Sequence, residues 1–190
     1  MMSRILASLL LLVCTGAWSA EVAGVRIADA AKSGATDLVL NGAGLRTKVF
    51  FKVYVLGLYL PARKTAPAEV LAAAGAKRVL IHMLRDVDAA EFGAALEAGI
   101  KDNHSEAQSK ALAPRLSVLV SLMSEVKTAK TGMVILLDWI PGAGTQVVID
   151  NQPRGAPIAG EDFYRALLRI WLGDNPISGD LKKALLGQVS

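Results

Sequence analysis

Residues 40–60 read L-N-G-A-G-L-R-T-K-V-F-F-K-V-Y-V-L-G-L-Y-L, and the reading of this stretch decides the fold. Gly42 and Gly44 are expected to break the chain. The run from Lys48 to Leu60 follows, rich in Val, Phe and Tyr, the residues that suit a pleated, half-buried surface. Pro61 then ends it, because proline donates nothing to a sheet ladder. This run is predicted to be the central strand of a sheet. Arg46 stands beside the glycines at its mouth, a single cation opening a long apolar strand, and is the residue that needs explaining.

Working outward, Val22–Ile27 reads as a short edge strand, 31–36 as a polar turn region and Leu38–Leu40 as a second short strand. Pro67–Ala74 predicts a short helix stopped by Gly75, and Arg78–Leu84 a further strand. Asp88 and Glu91 have capping-box spacing ahead of a helix whose apolar face is Phe92, Ala95, Leu96 and Ile100. Pro114–Val126 predicts another helix, with Pro114 in its first turn. Met133–Ile140 and Thr145–Ile149, joined by Pro-Gly-Ala-Gly, form a hairpin signal; a turn at 150–155 and a short strand at 156–158 follow. The C-terminal part is helical, with Phe163, Ala166, Leu167, Ile170 and Trp171 on one stripe, a break at 173–176 and a last helix over Ser178–Leu186. Strands at both ends of a helical middle imply an α+β domain with helices on one face of a sheet.

The chain has 190 residues, 53% hydrophobic and only 20% charged, which suits one domain with one substantial core. Arg4, the apolar run 5–13 and the small residues Ala17, Ser19 and Ala20 follow the order of a secretory signal peptide, too short to span a bilayer. The expected division is a leader over 1–20 and a folded domain over 21–190, with cleavage after Ser19 or Ala20 and a periplasmic or secreted destination. Cys14, preceded by Val13 where lipidation wants a small residue, is the only cysteine, so the domain itself carries none. Disulfides, cysteine nucleophiles and cysteine-based metal sites are thereby excluded. His82 and His104 are too far apart to suggest a zinc site, and no metal or cofactor is expected. The formal net charge of +4 is spread without a basic block or interleaved aromatics, which argues against nucleic acid. Nor does the mature chain hold a segment for stable membrane insertion, and no oligomeric state is implied.

Three blocks carry a family resemblance: Asn41-Gly42-Ala43-Gly44-Leu45-Arg46; Gly57-Leu58-Tyr59-Leu60; and Ile170-Trp171-Leu172-Gly173 followed by Pro176 and Asp180-Leu181-Lys182. In order and spacing over 22–187 they resemble the chalcone isomerase superfamily, specifically its bacterial chalcone isomerase-like proteins with a signal peptide. The resemblance implies an open-faced β-sandwich, a long antiparallel sheet covered by a helical layer, with a ligand cleft between the two. In the true isomerases a chalcone closes a ring through its phenolate, assisted by an arginine, a strand threonine, a helix tyrosine and asparagine, and a polar residue near the C-terminal helix.

Position by position, Arg46 matches the arginine, whose task would be to stabilise an anionic oxygen in a partly desolvated cleft. The threonine falls at Tyr54, the tyrosine at Phe92, the asparagine at Gly99 and the C-terminal polar residue at Ile170. Phe92 and Ile170 cannot hydrogen-bond, Gly99 has no side chain, and Tyr54 alone can replace a lost donor if it points inward.

The expected site is therefore Arg46, Tyr54, Phe92 and Ile170, a cation at the mouth of an apolar cleft that suits a small amphipathic or aromatic ligand. The leading expectation is a non-catalytic binder of an amphipathic anion such as a fatty acid. An isomerase (intramolecular lyase) acting on a chalcone-like or other unsaturated carbonyl substrate, with Arg46 and Tyr54 as its catalytic pair, is the alternative. A scaffold protein with a closed cleft and a salt-bridged Arg46 is the second. Read without the resemblance, Arg46 is a solvated strand end, and Tyr54, Phe92, Trp139 and Trp171 are ordinary core aromatics.

Overall fold

The stretch around Arg46 folds as a hairpin of two long strands. In the computed structural model, which describes residues 19–188, β4 (Thr36–Lys48) runs unbroken through Gly42 and Gly44, turns at Val49 and Phe50, and returns as β5 (Phe51–Leu60). The expected break at the glycines does not occur. These residues are small to admit a neighbour: a Cβ on Gly42 would collide with the carbonyl oxygen of Ala184, and one on Gly44 would lie 2.7 Å from Ala184 Cβ. Both neighbours belong to the last helix. Most of the expected leader, residues 1–18 with Cys14, lies outside the described residues.

The N-terminal stretch gives β1 (Ser19–Val22), β2 (Val25–Ala28) and β3 (Ala30–Ser33). The single edge strand expected over 22–27 is thus two strands joined by a tight turn at Ala23-Gly24, and β3 occupies much of the expected turn. After α1 (Pro67–Ala72) come β6 (Lys77–Met83), the short β7 (Val87–Asp88), α2 (Ala89–Asp102), α3 (Glu106–Ser124) and the short β8 (Thr128–Ala129). The chain closes with β9 (Val134–Ile140), β10 (Gly144–Ile149), β11 (Gln152–Ile158), α4 (Glu161–Leu172) and α5 (Gly179–Leu185). Seven strands form one antiparallel sheet in the order β11-β10-β9-β6-β5-β4-β3, so β5 is interior although β6 holds the centre.

Two helix starts differ from expectation for identifiable reasons. Asp88 is the N-cap of α2, but its side chain makes no cap bond: Thr128 Oγ1 approaches its carboxylate at 3.4 Å, while Glu91 pairs with Lys48 at 3.0 Å. The capping box forms instead at α3, where Gln108 N donates to Ser105 Oγ and Ser105 N to Gln108 Oε1. That earlier start leaves Pro114 inside the helix.

The main core lies between the sheet and the helices. On β6 the alternation is clean: Lys77, Val79, Ile81 and Met83 are buried and the residues between them half-buried, as a strand with one fully covered face requires. Phe163, Ala166, Leu167, Ile170 and Trp171 on α4 are all at most 2% exposed, so the expected stripe is the packed one. A smaller cluster of Ile27, Leu38, Leu40, Val55 and Tyr59 fills the opposite face, and Tyr59 Oη donates to Ala28 O at 2.8 Å. The expected α+β architecture, an antiparallel sheet with a helical layer, is the one observed.

Candidate functional site

Whether Arg46 meets the helices is decided by two irregularities in β4–β5. Along a regular strand every second residue shares a face, so Leu38, Leu40 and Arg46 would point the same way. Leu38 and Leu40 pack in the smaller cluster on the far face. The register shifts between Leu40 and Gly42, leaving Asn41 as the inserted residue and reversing the alternation beyond it. Gly42, Gly44 and Arg46 consequently face the helical side opposite Leu58, Leu56 and Tyr54. Asn41 is fixed in this place by hydrogen bonds, donating to Leu185 O at 2.7 Å and Lys64 O at 3.0 Å and accepting from Lys64 N at 2.6 Å. A second shift between Arg46 and Thr47 inserts Val53 on the partner strand, which is how Phe51, Val53 and Tyr54 all come to border one space.

That space is a cavity of about 370 Å³ between the turn end of the β4–β5 hairpin, α2, and the end of α4. Arg46, Tyr54, Phe92 and Ile170, the four residues picked out in the sequence, all line it. Most of the remaining wall is carbon, including Val53, Leu96 and Ile177. The volume falls in the range of small-molecule sites, which combine apolar walls with a few placed polar groups.

Arg46 is half-buried and donates from Nη1 to Thr47 O at 2.5 Å. No carboxylate among the described residues forms an ion pair with it. The two carboxylates on the same rim are already engaged. Glu91 holds Lys48, and Asp86 is clamped by Lys130 Nζ at 2.7 Å, Thr131 N at 2.8 Å and Thr131 Oγ1 at 3.0 Å. Those bonds, the lysine's first, hold the Asp86 carboxyl at about 2. Asp86 is thereby engaged by Lys130 and Thr131 rather than by Arg46, which lines the same cavity.

Tyr54 stands opposite Arg46 in the register and is 7% exposed. Its oxygen accepts a hydrogen bond from Trp171 Nε1 at 3.0 Å, which leaves the phenolic proton to be donated elsewhere. Burial raises the phenol above its ordinary value of 10.0, against the smaller opposing effects of the Trp171 bond and the Arg46 charge, so it remains a donor at neutral pH. Trp171, which packs on the apolar stripe of α4, thus also lines the cavity and holds Tyr54. A helix-borne indole aimed at a strand-borne phenol leaves no signal in either segment, because the two residues are 117 positions apart.

The substituted positions fit one another. Phe92 is 8% exposed and Ile170 1% exposed; a Cβ on Gly99 would lie 2.7 Å from Ile170 Cγ2. Ile170 occupies the room that a side chain at 99 would need, so the loss of one polar position accompanies the loss of the other. The arrangement left is the Arg46 guanidinium and the Tyr54 phenol in a mostly apolar cavity, with Lys48 and Arg85 also on its wall, suited to holding an anionic or polarised oxygen with a hydrocarbon body behind it.

A family model described as chalcone isomerase-like matches residues 19–187. Among solved structures, the fatty-acid binding protein of Arabidopsis thaliana has a similar fold, with a TM-score of 0.63 and 15% sequence identity over 86% of this chain and 92% of that one. At that identity the likeness concerns the fold. A search of curated proteins finds no match.

Proposed function

This chain belongs to the chalcone isomerase-like family, and we propose that within it the protein is a non-catalytic binder of a fatty acid or a closely similar amphipathic anion. One observation carries the reading: an arginine without a carboxylate partner among the described residues stands opposite a phenol fixed by Trp171, in a mostly apolar cavity whose rim carboxylates, Asp86 and Glu91, are engaged by Lys130 and Lys48. The ligand carboxylate sits on Arg46 and accepts from Tyr54, and the tail lies against Phe92, Leu96 and Ile170. Each buried methylene contributes about 0.8 kcal/mol, so the tail supplies most of the affinity and the head fixes orientation and ligand class. The likeness in fold to a fatty-acid binding protein supports this reading. So does the cavity itself, since a scaffold with a closed cleft would have none.

Calorimetric titration with saturated fatty acids of increasing length tests it. Affinity should rise roughly fourfold per methylene until the cavity is full. Arg46→Ala should weaken binding by about 1.5–3 kcal/mol, the worth of a hydrogen bond to a charged group. No binding of any fatty acid would sink the proposal. Chalcone offered to the same protein should cyclise no faster than in buffer, because Phe92, Gly99 and Ile170 provide none of the donors an enolate needs. The leader pattern extends the proposal to an exported carrier, periplasmic or secreted, and an intact Met1 on the protein recovered from its host would refute that part.

A further inference from the structure

The hairpin turn at the cavity mouth places a β-branched residue where the backbone favours glycine. Four turns in the described residues join antiparallel strands through two residues: Ala23-Gly24, Gly34-Ala35, Val49-Phe50 and Asp150-Asn151. Such turns draw Gly, Asn or Asp to positions of positive φ, because other side chains crowd the backbone there. Gly24, Gly34, Asp150 and Asn151 obey that rule, at φ 85°, 58°, 47° and 63°, and Ala23, at 51°, departs from it with only a methyl group. At the cavity mouth the residue at positive φ is Val49, at 58°, a β-branched residue in a region it rarely enters.

What this unfavourable turn displays is apolar. Val49 is 76% exposed, Phe50 92% and Phe51 60%. Cations surround it: the segment Arg46-Thr47-Lys48-Val49-Phe50-Phe51-Lys52 contains three and no carboxylate. Arg85 adds a fourth, its guanidinium 4.6 Å from the Phe51 ring centre. The rim's carboxylates, Asp86 and Glu91, are paired with Lys130 and Lys48. Val49 and Phe51 also line the cavity, so the exposed tip and the cavity interior form one continuous apolar surface.

We propose that the Val49–Phe51 tip is a docking element that seats the cavity mouth on an anionic lipid bilayer. An exposed apolar wedge ringed by Lys and Arg is the combination that holds a protein at the interface: the wedge enters the headgroup–acyl boundary while the cations meet lipid phosphates. Phe50, the residue furthest into solvent, would enter deepest. The charge of an anionic lipid matches Lys52 and Arg85, with Lys48 shared with Glu91, as a neutral or cationic partner would not. No helix among the described residues is long and apolar enough to cross a membrane, so the contact is interfacial. Docking would let a ligand pass between bilayer and cavity without crossing water; that consequence rests on the fatty-acid reading above, whereas the docking does not.

The test is sedimentation with phosphatidylcholine vesicles, with and without phosphatidylglycerol, in the absence of added fatty acid. Wild type and variants are purified with the same N-terminus, so any leader contributes equally. The wild type should bind the phosphatidylglycerol vesicles and lose them at high salt. Phe50→Asp should reduce partitioning about tenfold or more, the worth of burying one phenylalanine side chain. Lys52→Glu should reduce it several-fold at low salt only. Phe50 does not line the cavity, so Phe50→Asp should keep its melting temperature and its fatty-acid affinity. Failure of the wild type to bind anionic vesicles, or equal binding by Phe50→Asp, overturns the proposal. A dimer that Phe50→Asp dissociates, with no vesicle binding, assigns the tip to a second copy and also overturns it. Vesicle binding by a protein that takes up no fatty acid would instead overturn only the binder reading.

Discussion

The helix-facing positions of β4 divide into two regions with opposite solutions. At Gly42 and Gly44 the strand presents no side chain, and α5 descends until its backbone touches the sheet. At Arg46, one strand period further on, the side chain is long and charged, and it lines the cavity between sheet and helices. The difference teaches that side-chain size along one strand sets where the helical layer closes and where it stands off. The two-residue spacing of Gly42, Gly44 and Arg46 in Gly-Ala-Gly-Leu-Arg is thus an architectural instruction: close, close, open.

Breaking the closed end should have the largest effect. Gly42→Val places carbon where Ala184 O and the Leu185 backbone stand, and backbone cannot step aside as a flexible side chain can. The expected cost is about 3 kcal/mol or more, since this overpacks a joint that also carries the Asn41 bonds. Urea denaturation measures it; an unchanged midpoint would show that α5 does not need the glycine face.

Trp171→Phe probes the border between the regions. It removes the donor that fixes Tyr54 and leaves a small void, for an expected loss of about 1–3 kcal/mol in stability and a several-fold weaker hold on fatty acid. The phenol is still expected to donate, because burial keeps Tyr54 protonated as pH rises to its ordinary value of 10.0. Wild-type affinity should accordingly not fall on Tyr54's account below that pH, and titrations in alkaline buffers check this.

At the open end the smallest stability effect is expected. Arg46→Ala, which should cost ligand affinity, ought to shift the unfolding free energy by no more than about 0.5 kcal/mol, because no carboxylate among the described residues depends on it. A much larger loss would turn Arg46 into a structural residue and erase the contrast with Gly42.

The sequence made much of this legible. The C-terminal stripe, the β9–β10 hairpin and the four cavity residues were readable from periodicity, turn residues and the resemblance, and all four line one space. The spacing of Asp88 and Glu91 predicts a capping box, yet both carboxylates face partners from distant segments, Thr128 and Lys48. The true box at Ser105 and Gln108 has the same spacing, and spacing cannot rank two candidates when tertiary partners compete for one. The roles of Trp171 and Asp86 were hidden for a related reason: each acts through a bond to a residue far along the chain.

By itself the sequence determined the α+β class, the main helices and most of the sheet strands, and Arg46 as the cation of interest, because these follow from local periodicity, composition and residue chemistry. Only the tertiary structure decided that Arg46 and Tyr54 face the helices. A strand alternates with period two, so one inserted residue reverses every side chain beyond it. The insertion at Asn41 is held by Leu185, 144 residues away.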